Sequence, residues 1–218
     1  MTKNILLLLT VFFITAPTAF ADEGNQVDLK YHEKIVTTRG DDVGELEFFS
    51  FKENGFSVAG ANLVIAVTID SPVKDVWPYF KNFNTWGNKT GYYYWDASGK
   101  PGIHGDMKGK VVRLGPKEGG GLEYVVHTVI PHRLIGKKEI PREVDGVLYS
   151  GDHAFILTER NGKTMITMVM QHTNRASHKT EEELLKEWTP FIPRLSQENN
   201  YFLDGFIPEL RAAVKTGK

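Results

Sequence analysis

Seven histidines are the side chains of this sequence best suited to acid–base or metal chemistry: His32, His104, His127, His132, His153, His172 and His178. None forms a His-Glu-x-x-His helix or another compact ligand spacing, so no metal is expected. The run Gly115-Pro116-Lys117-Glu118-Gly119-Gly120-Gly121 has the glycine content of a phosphate loop. It lacks the Gly-Lys-Ser/Thr ending, and a strand pattern rather than a helix follows it, so it reads as an inter-strand loop. There is no Gly-x-Ser-x-Gly elbow and no cysteine, which excludes disulfides, thiolate metal sites and a cysteine nucleophile. Tyr92-Tyr93-Tyr94-Trp95 is aromatic enough to stack bases, but no basic residue interleaves it. Strand packing, or one wall of a cavity, is its expected role.

Two histidines gain meaning from hairpin arithmetic. If Asn161-Gly162 is a two-residue turn, His153 faces Met170, Phe155 faces Met168, Leu157 faces Ile166 and Gly151 faces His172. Side chains alternate across a strand, so these residues share one face; Ala154, Ile156, Thr167 and Val169 take the other. The first set is bulkier and more apolar and should point at the terminal helix, which adds Tyr201 and Phe202. The expected ligand wall is therefore His153, Phe155, Leu157, Ile166, Met168, Met170, His172, Tyr201 and Phe202. Methionines suit a wall that adapts to a ligand, although they also serve as core filler. His153 and His172 come diagonally adjacent at the end away from the turn. There they either give an apolar ligand a polar handle or satisfy backbone and water partners near the sheet edge.

The elements that must hold this wall are legible as alternating runs between turn signals. Asn54-Gly55, Asp145-Gly146 and Asn161-Gly162 supply the positive φ angles of tight hairpins. Leu63, Ile65, Val67 and Ile69 mark a strand over 62–69. It ends at Asp70-Ser71-Pro72, a helix start with Ser71 placed to cap and Pro72 at the first helical position. Val73, Val76, Trp77 and Phe80 follow at helical spacing, with Pro78 making this helix short or kinked, and Phe83 and Trp86 suggest a second short turn. Six further strands are expected at 92–96, 110–114, 122–130, 134–140, 152–159 and 163–173. Thr180 with Glu183 forms a capping box, and a helical pattern then runs to about Lys215, interrupted by Pro190, Pro193 and Pro208. Consecutive hairpins make an antiparallel sheet, and a lone amphipathic helix after them must cover one face. The expected class is α+β. A curved antiparallel sheet of about seven strands surrounds a long C-terminal helix, with one or two short helices after the first strand: a helix grip.

The N-terminus reads as a cleavable secretion signal. Lys3 precedes the apolar run Ile5–Ala16, and Pro17 leads to Ala19-Phe20-Ala21, whose small residues suit signal peptidase before Asp22. The run is too short to cross a bilayer, which takes about 20 apolar residues. The division is then a signal peptide at 1–21, a partly flexible extension at 22–58 open to one extra strand at 45–53, and a ligand-binding domain at 59–218. Residues 22–44 read as a loose leader. An exported chain without cysteine fits a bacterial periplasm or exterior, and no stable membrane span is expected in the mature chain. A formal net charge of −1 leaves no electrostatic footprint for nucleic acid.

The run TIDSPVKDVWPYFKNFNTW at 68–86 resembles the opening of the START-like (SRPBCC) superfamily, which includes polyketide cyclases and lipid-transfer domains. The Asn161-Gly162 hairpin and the closing FLDGFIPELRAAV at 202–214 are also similar to that family, so the resemblance spans about 60–216. It implies a helix grip that binds lipids, isoprenoids, polyketides or hormones; a minority of members are enzymes, and no catalytic motif of theirs is present here. The secretion signal, the 22–58 extension, Pro78 and the long link around Asp145-Gly146 depart from the family pattern.

The expected function is an exported protein that binds, and shuttles, a hydrophobic small molecule or lipid between sheet and helix, without a cofactor. Two alternatives stand beside it. One is a cyclase- or dehydratase-type enzyme with a cavity histidine as acid or base; the other is an interaction module whose cavity is filled by its own side chains.

Overall fold

The computed structural model describes residues 30–81 and 93–217. The signal at 1–21, Phe83, Trp86 and Tyr92 lie outside the described residues. The chain forms β1 (Lys30–Arg39), β2 (Asp42–Glu53), β3 (Phe56–Ile69), α1 (Val73–Phe80), β4 (Tyr93–Trp95), β5 (Val111–Gly115), β6 (Leu122–Ile130) and β7 (Leu134–Glu139). It continues through β8 (Arg142–Val144), β9 (Val147–Arg160), β10 (Lys163–Ala176) and α2 (Glu181–Lys186). A 3-10 turn, Thr189–Phe191, then leads into α3 (Ile192–Tyr201), a π-helical turn (Phe202–Phe206) and α4 (Ile207–Thr216). All strand pairs are antiparallel, in the order β1-β2-β3-β10-β9-β7-β6-β5-β4, with β8 on β9. The curved sheet and the long C-terminal helix make the helix grip expected from the sequence.

The seven expected strands are joined by β1, β2 and β8. Residues 30–39, read as part of a loose leader, are an edge strand, and β3 begins at Phe56, so the expected boundary at 58/59 falls inside a strand. An edge strand with one solvated face tolerates the polar residues that hid β1. In β2 the signal was plainer: Gly44, Leu46 and Phe48 alternate with Glu45 and Glu47 and are buried. The three Asn/Asp-Gly pairs are all tight turns with positive φ at both positions, joining β2–β3, β8–β9 and β9–β10. The link around Asp145-Gly146 is thus a hairpin.

Helix α1 begins one residue later than expected. Pro72 is its N-cap, Ser71 bonds the Asp70 carbonyl instead of capping, and the Val73 N–H is taken by Glu159 at 2.9 Å. The Thr180–Glu183 capping box is present on α2. Beyond the 3-10 turn the helix runs from Ile192 to Thr216 and ends on Gly217 in the left-handed conformation. Pro208 donates no hydrogen bond, and the π-helical turn just before it, with the Ile207 N–H on the Phe202 carbonyl, absorbs the mismatch.

The core lies between the concave sheet face and this helix. Phe206 is fully buried with its ring centroid 6.2 Å from Phe80 and 5.7 Å from Phe202, while Phe80 meets Phe155 edge-on at 6.3 Å. Arg211 closes α4 onto the β1–β2 turn with two 2.7 Å bonds to Asp42 and a third to the Thr68 carbonyl. Asn199 on α3 sits in the notch that Gly44 leaves in β2, so close that any side chain at 44 would collide with its amide. Among the described residues, no helix is long and apolar enough to cross a membrane.

Candidate functional site

The β9–β10 turn sets the register that the sequence predicts: His153 opposite Met170, Phe155 opposite Met168, Leu157 opposite Ile166 and Gly151 opposite His172. His153, Phe155, Leu157, Ile166, Met168 and Met170 are buried on the inner face, whereas Ala154, Ile156, Thr167 and Val169 are half-buried on the other. Strand β7 pairs with the far side of β9 and sets Lys137 opposite His153. Period-two alternation then turns Ile135, Lys137 and Glu139 inward together, all three buried. Tyr124 pairs with Glu139 across β6–β7, and Tyr94 comes from β4.

These strands gather a polar cluster inside an apolar core. The Tyr94 hydroxyl hydrogen-bonds Nδ1 of His153. Nε2 of His153 lies 3.3 Å from the Tyr124 hydroxyl and 3.2 Å from Nε2 of His172. Nδ1 of His172 is 3.6 Å from Oε2 of Glu139, and Oε1 of Glu139 is 3.6 Å from Nε of Arg142 at the surface. Nζ of Lys137 stands 3.3 Å from the Tyr94 ring centroid and 5.2 Å from that of Phe155, with no hydrogen-bond partner among the described residues.

Burial decides the charge state of this cluster. It pushes the His153 imidazole well below its ordinary value, helped by His172 and Lys137, and drives the Lys137 amine well below that of a free lysine. The same desolvation holds both phenols protonated, reinforced by Glu198 and Glu139 at Tyr94 and by Tyr94 at Tyr124. The centre of the cluster is therefore a neutral imidazole between two neutral phenols, above a neutral amine.

His153, Met170, His172 and Phe202, four of the nine expected wall residues, line a cavity of about 20 Å³ between sheet and helix. Leu46, Leu63, Leu114 and Leu195 complete its apolar side, and Tyr94 and Glu198 its polar side. That volume holds one water-sized group. Phe155, Leu157, Ile166 and Met168 belong to the packed core instead, and half-buried Tyr201 does not line the cavity. Sequence reasoning missed Tyr124, Lys137, Glu139 and Glu198 as site residues, and reached Tyr94 only within an aromatic run read as strand packing or one wall of a cavity. The alternation of Ile135, Lys137 and Glu139 was the available signal for two of them. A wider surface cleft of about 650 Å³ near the β1–β2 turn is spanned by paired charges: Arg39 with Asp204, Arg211 with Asp42 and Lys163 with Asp70.

No protein-family profile matches the sequence, and no curated protein is similar to it. Among solved structures the chain is similar to CalU16 from Micromonospora echinospora at 15% identity, covering 79% of this chain and 92% of that one with a TM-score of 0.37. A protein from Arthrobacter aurescens matches at 13% identity over 71% of this chain and 86% of its own, TM-score 0.41. DynU16, from the dynemicin biosynthetic locus, matches at 17% identity over 72% of this chain and 48% of its own, TM-score 0.40. At these distances the likeness concerns the backbone and says nothing of ligand or chemistry.

Proposed function

We propose that this protein is a START-like domain that binds a hydrophobic small molecule or lipid between its sheet and C-terminal helix. One observation carries the reading: an internal cavity, apolar on one side, has its polar groups gathered at a single point formed by Tyr94, His153, His172 and Glu198. Such a wall orients a ligand with a long apolar body and one polar end. Room for the body comes from displacing α3, in which Asn199 is the one fully buried side chain among those described, and from repacking Met168 and Met170. We propose as well that the chain is exported to the periplasm or cell exterior after cleavage behind Ala21, from the pattern of Lys3, Ile5–Ala16 and Ala19-Phe20-Ala21.

The test is native mass spectrometry of the purified mature protein, together with uptake of the neutral fluorophore N-phenyl-1-naphthylamine. A recurrent apolar adduct, displaced by the fluorophore and lost in a His153→Ala/His172→Ala double variant, is the expected result. A dry protein that takes up no fluorophore sinks the binding reading. It would favour the second reading, an interaction module with a filled interior, which the 20 Å³ volume supports. The mass of the mature N-terminus tests export, and a retained Met1 in exported material refutes it.

A further inference from the structure

The hydrogen bonds around His153 assign its protons one after another. Burial keeps the Tyr94 phenol protonated, so it donates and Nδ1 of His153 accepts. A neutral imidazole that accepts at Nδ1 carries its proton on Nε2. That proton points at Nε2 of His172, 3.2 Å away, and the Tyr124 hydroxyl is 3.3 Å from the same atom. Two facing ring nitrogens bond only when one of them is bare, so Nε2 of His172 accepts and its proton sits on Nδ1. Nδ1 is 3.6 Å from the buried Oε2 of Glu139, longer than a hydrogen bond, yet near enough for the carboxylate to favour this tautomer. Four groups on four strands thus stand in one line, Tyr94–His153–His172–Glu139, with its first three members on the cavity wall.

We propose that Tyr94 is a catalytic acid–base group for apolar carbonyl compounds with an acidic C–H beside the carbonyl, that His153 and His172 are the relay behind it, and that Glu139 is a positioning residue that steadies the charge on His172. This rests on the ligand-binding reading of the same cavity. The substrate C–H bond breaks, its electron pair stays on the substrate as an enolate, and the proton forms a new bond to the Tyr94 oxygen. The original Tyr94 proton passes to Nδ1 of His153 and the Nε2 proton of His153 to Nε2 of His172, which becomes an imidazolium facing the Glu139 carboxylate 3.6 Å away. Each bond broken is matched by one formed. The positive charge formed on His172 balances the enolate, and no oxidant or co-reactant is consumed. Running the relay backwards returns a proton to a different atom of the enolate, so the net reaction is a tautomerisation or double-bond shift. Lys137 lies under the Tyr94 ring and Glu198 on the same cavity wall; neither is a link in the chain.

Two measurements test this. Nitrogen-15 spectra of the histidine rings in the purified protein should show His153 as the Nε2–H tautomer and His172 as the Nδ1–H tautomer. The opposite tautomer at His153 overturns the relay whatever the ligand. The second uses 2-tetralone, an apolar enolisable ketone, following binding by chemical-shift changes and deuterium uptake at its C1 in heavy water. Saturable acceleration is expected, falling at least ~100-fold in Tyr94→Phe, in line with the usual weight of acid–base catalysis. A smaller loss is expected in Glu139→Gln, accompanied by a changed tautomer population at His172, which a purely structural role would not move. Binding without faster exchange, or undiminished exchange in Tyr94→Phe, overturns the proposal and leaves the binding reading intact. Absence of saturable binding overturns both.

Discussion

Replacing Lys137 by methionine should make this protein more stable at neutral pH. Lys137 is fully buried, and its Nζ finds no hydrogen-bond acceptor among the described residues. Leaving a buried polar group unsatisfied costs about 1–3 kcal/mol, and more if it is charged. The compensating contact is the Tyr94 ring, 3.3 Å away. A cation–π pair is worth about 2 kcal/mol at best, and the desolvation of an ammonium exceeds that, so the amine folds neutral. The unfolded chain, with its lysine near pH 10.4, then binds one more proton than the folded chain at pH 7. Methionine keeps the unbranched shape, loses the orphan donor and gains a sulfur–aromatic contact. Keeping this amine deprotonated costs about 1.4 kcal/mol for each pH unit below 10.4, so the expected gain is about 4–5 kcal/mol at pH 7, or roughly 8–20 °C in melting temperature for a chain of this size. The gain should shrink as pH rises towards 10.4, where the unfolded lysine also loses its proton. Denaturant titrations of both proteins at pH 7 and pH 10 read this directly. A Lys137→Met protein that is less stable at pH 7, or whose advantage does not change with pH, would show that the amine has a partner and refute the reasoning.

Three further outcomes follow from the packing. Phe206→Ala should cost about 3–5 kcal/mol, because the ring is fully buried against Phe80 and Phe202; thermal melting of the folded variant measures it. Gly44→Ala should destabilise the protein by driving a methyl group into the Asn199 amide, and Asn199→Ala should rescue most of that loss in a double-mutant cycle. Additive losses would mean that the helix is not seated on Gly44. His153 folds neutral, so below its unfolded value near pH 6.5 the unfolded chain binds the extra proton and stability falls as pH drops. His153→Gln should flatten the stability curve between pH 6.5 and 4.5 by up to one proton, about 1.4 kcal/mol per pH unit, and an unchanged slope would argue against a neutral imidazole.

The hairpins were legible because their turns are local chemistry. Asn161-Gly162 alone set the register of β9 and β10, and the alternation along those strands set which side chains turn inward. Edge strand β1 was hidden because its composition is that of a polar segment; only its pairing with β2 makes it a strand. The cluster was half-visible for a related reason. His153 and His172 share a hairpin, so arithmetic brings them together, whereas Tyr94, Tyr124 and Glu139 arrive through pairings whose loops carry no two-residue turn signal. Lys137 was missed because a lysine in an amphipathic strand is ordinarily read as solvent-facing, and here tertiary packing overrides that preference.

The ladder between β3 and β10 has a consequence for how the chain reaches this state. The other strand pairs join segments near one another in sequence, but Ile69 pairs with Thr164 and Ser57 with Ala176, across about half of the chain. The β1–β3 meander can therefore form early, while the strand that covers its second edge and the helix that covers its apolar face are made last. Closing so long a loop is slow, and an N-terminal sheet with an open edge is prone to pair with other chains while it waits. A chain threaded through a membrane from its N-terminus would meet that hazard on the far side. Its yield there should depend on how quickly β10 and the terminal helix follow, and so on holdase chaperones more than on final stability.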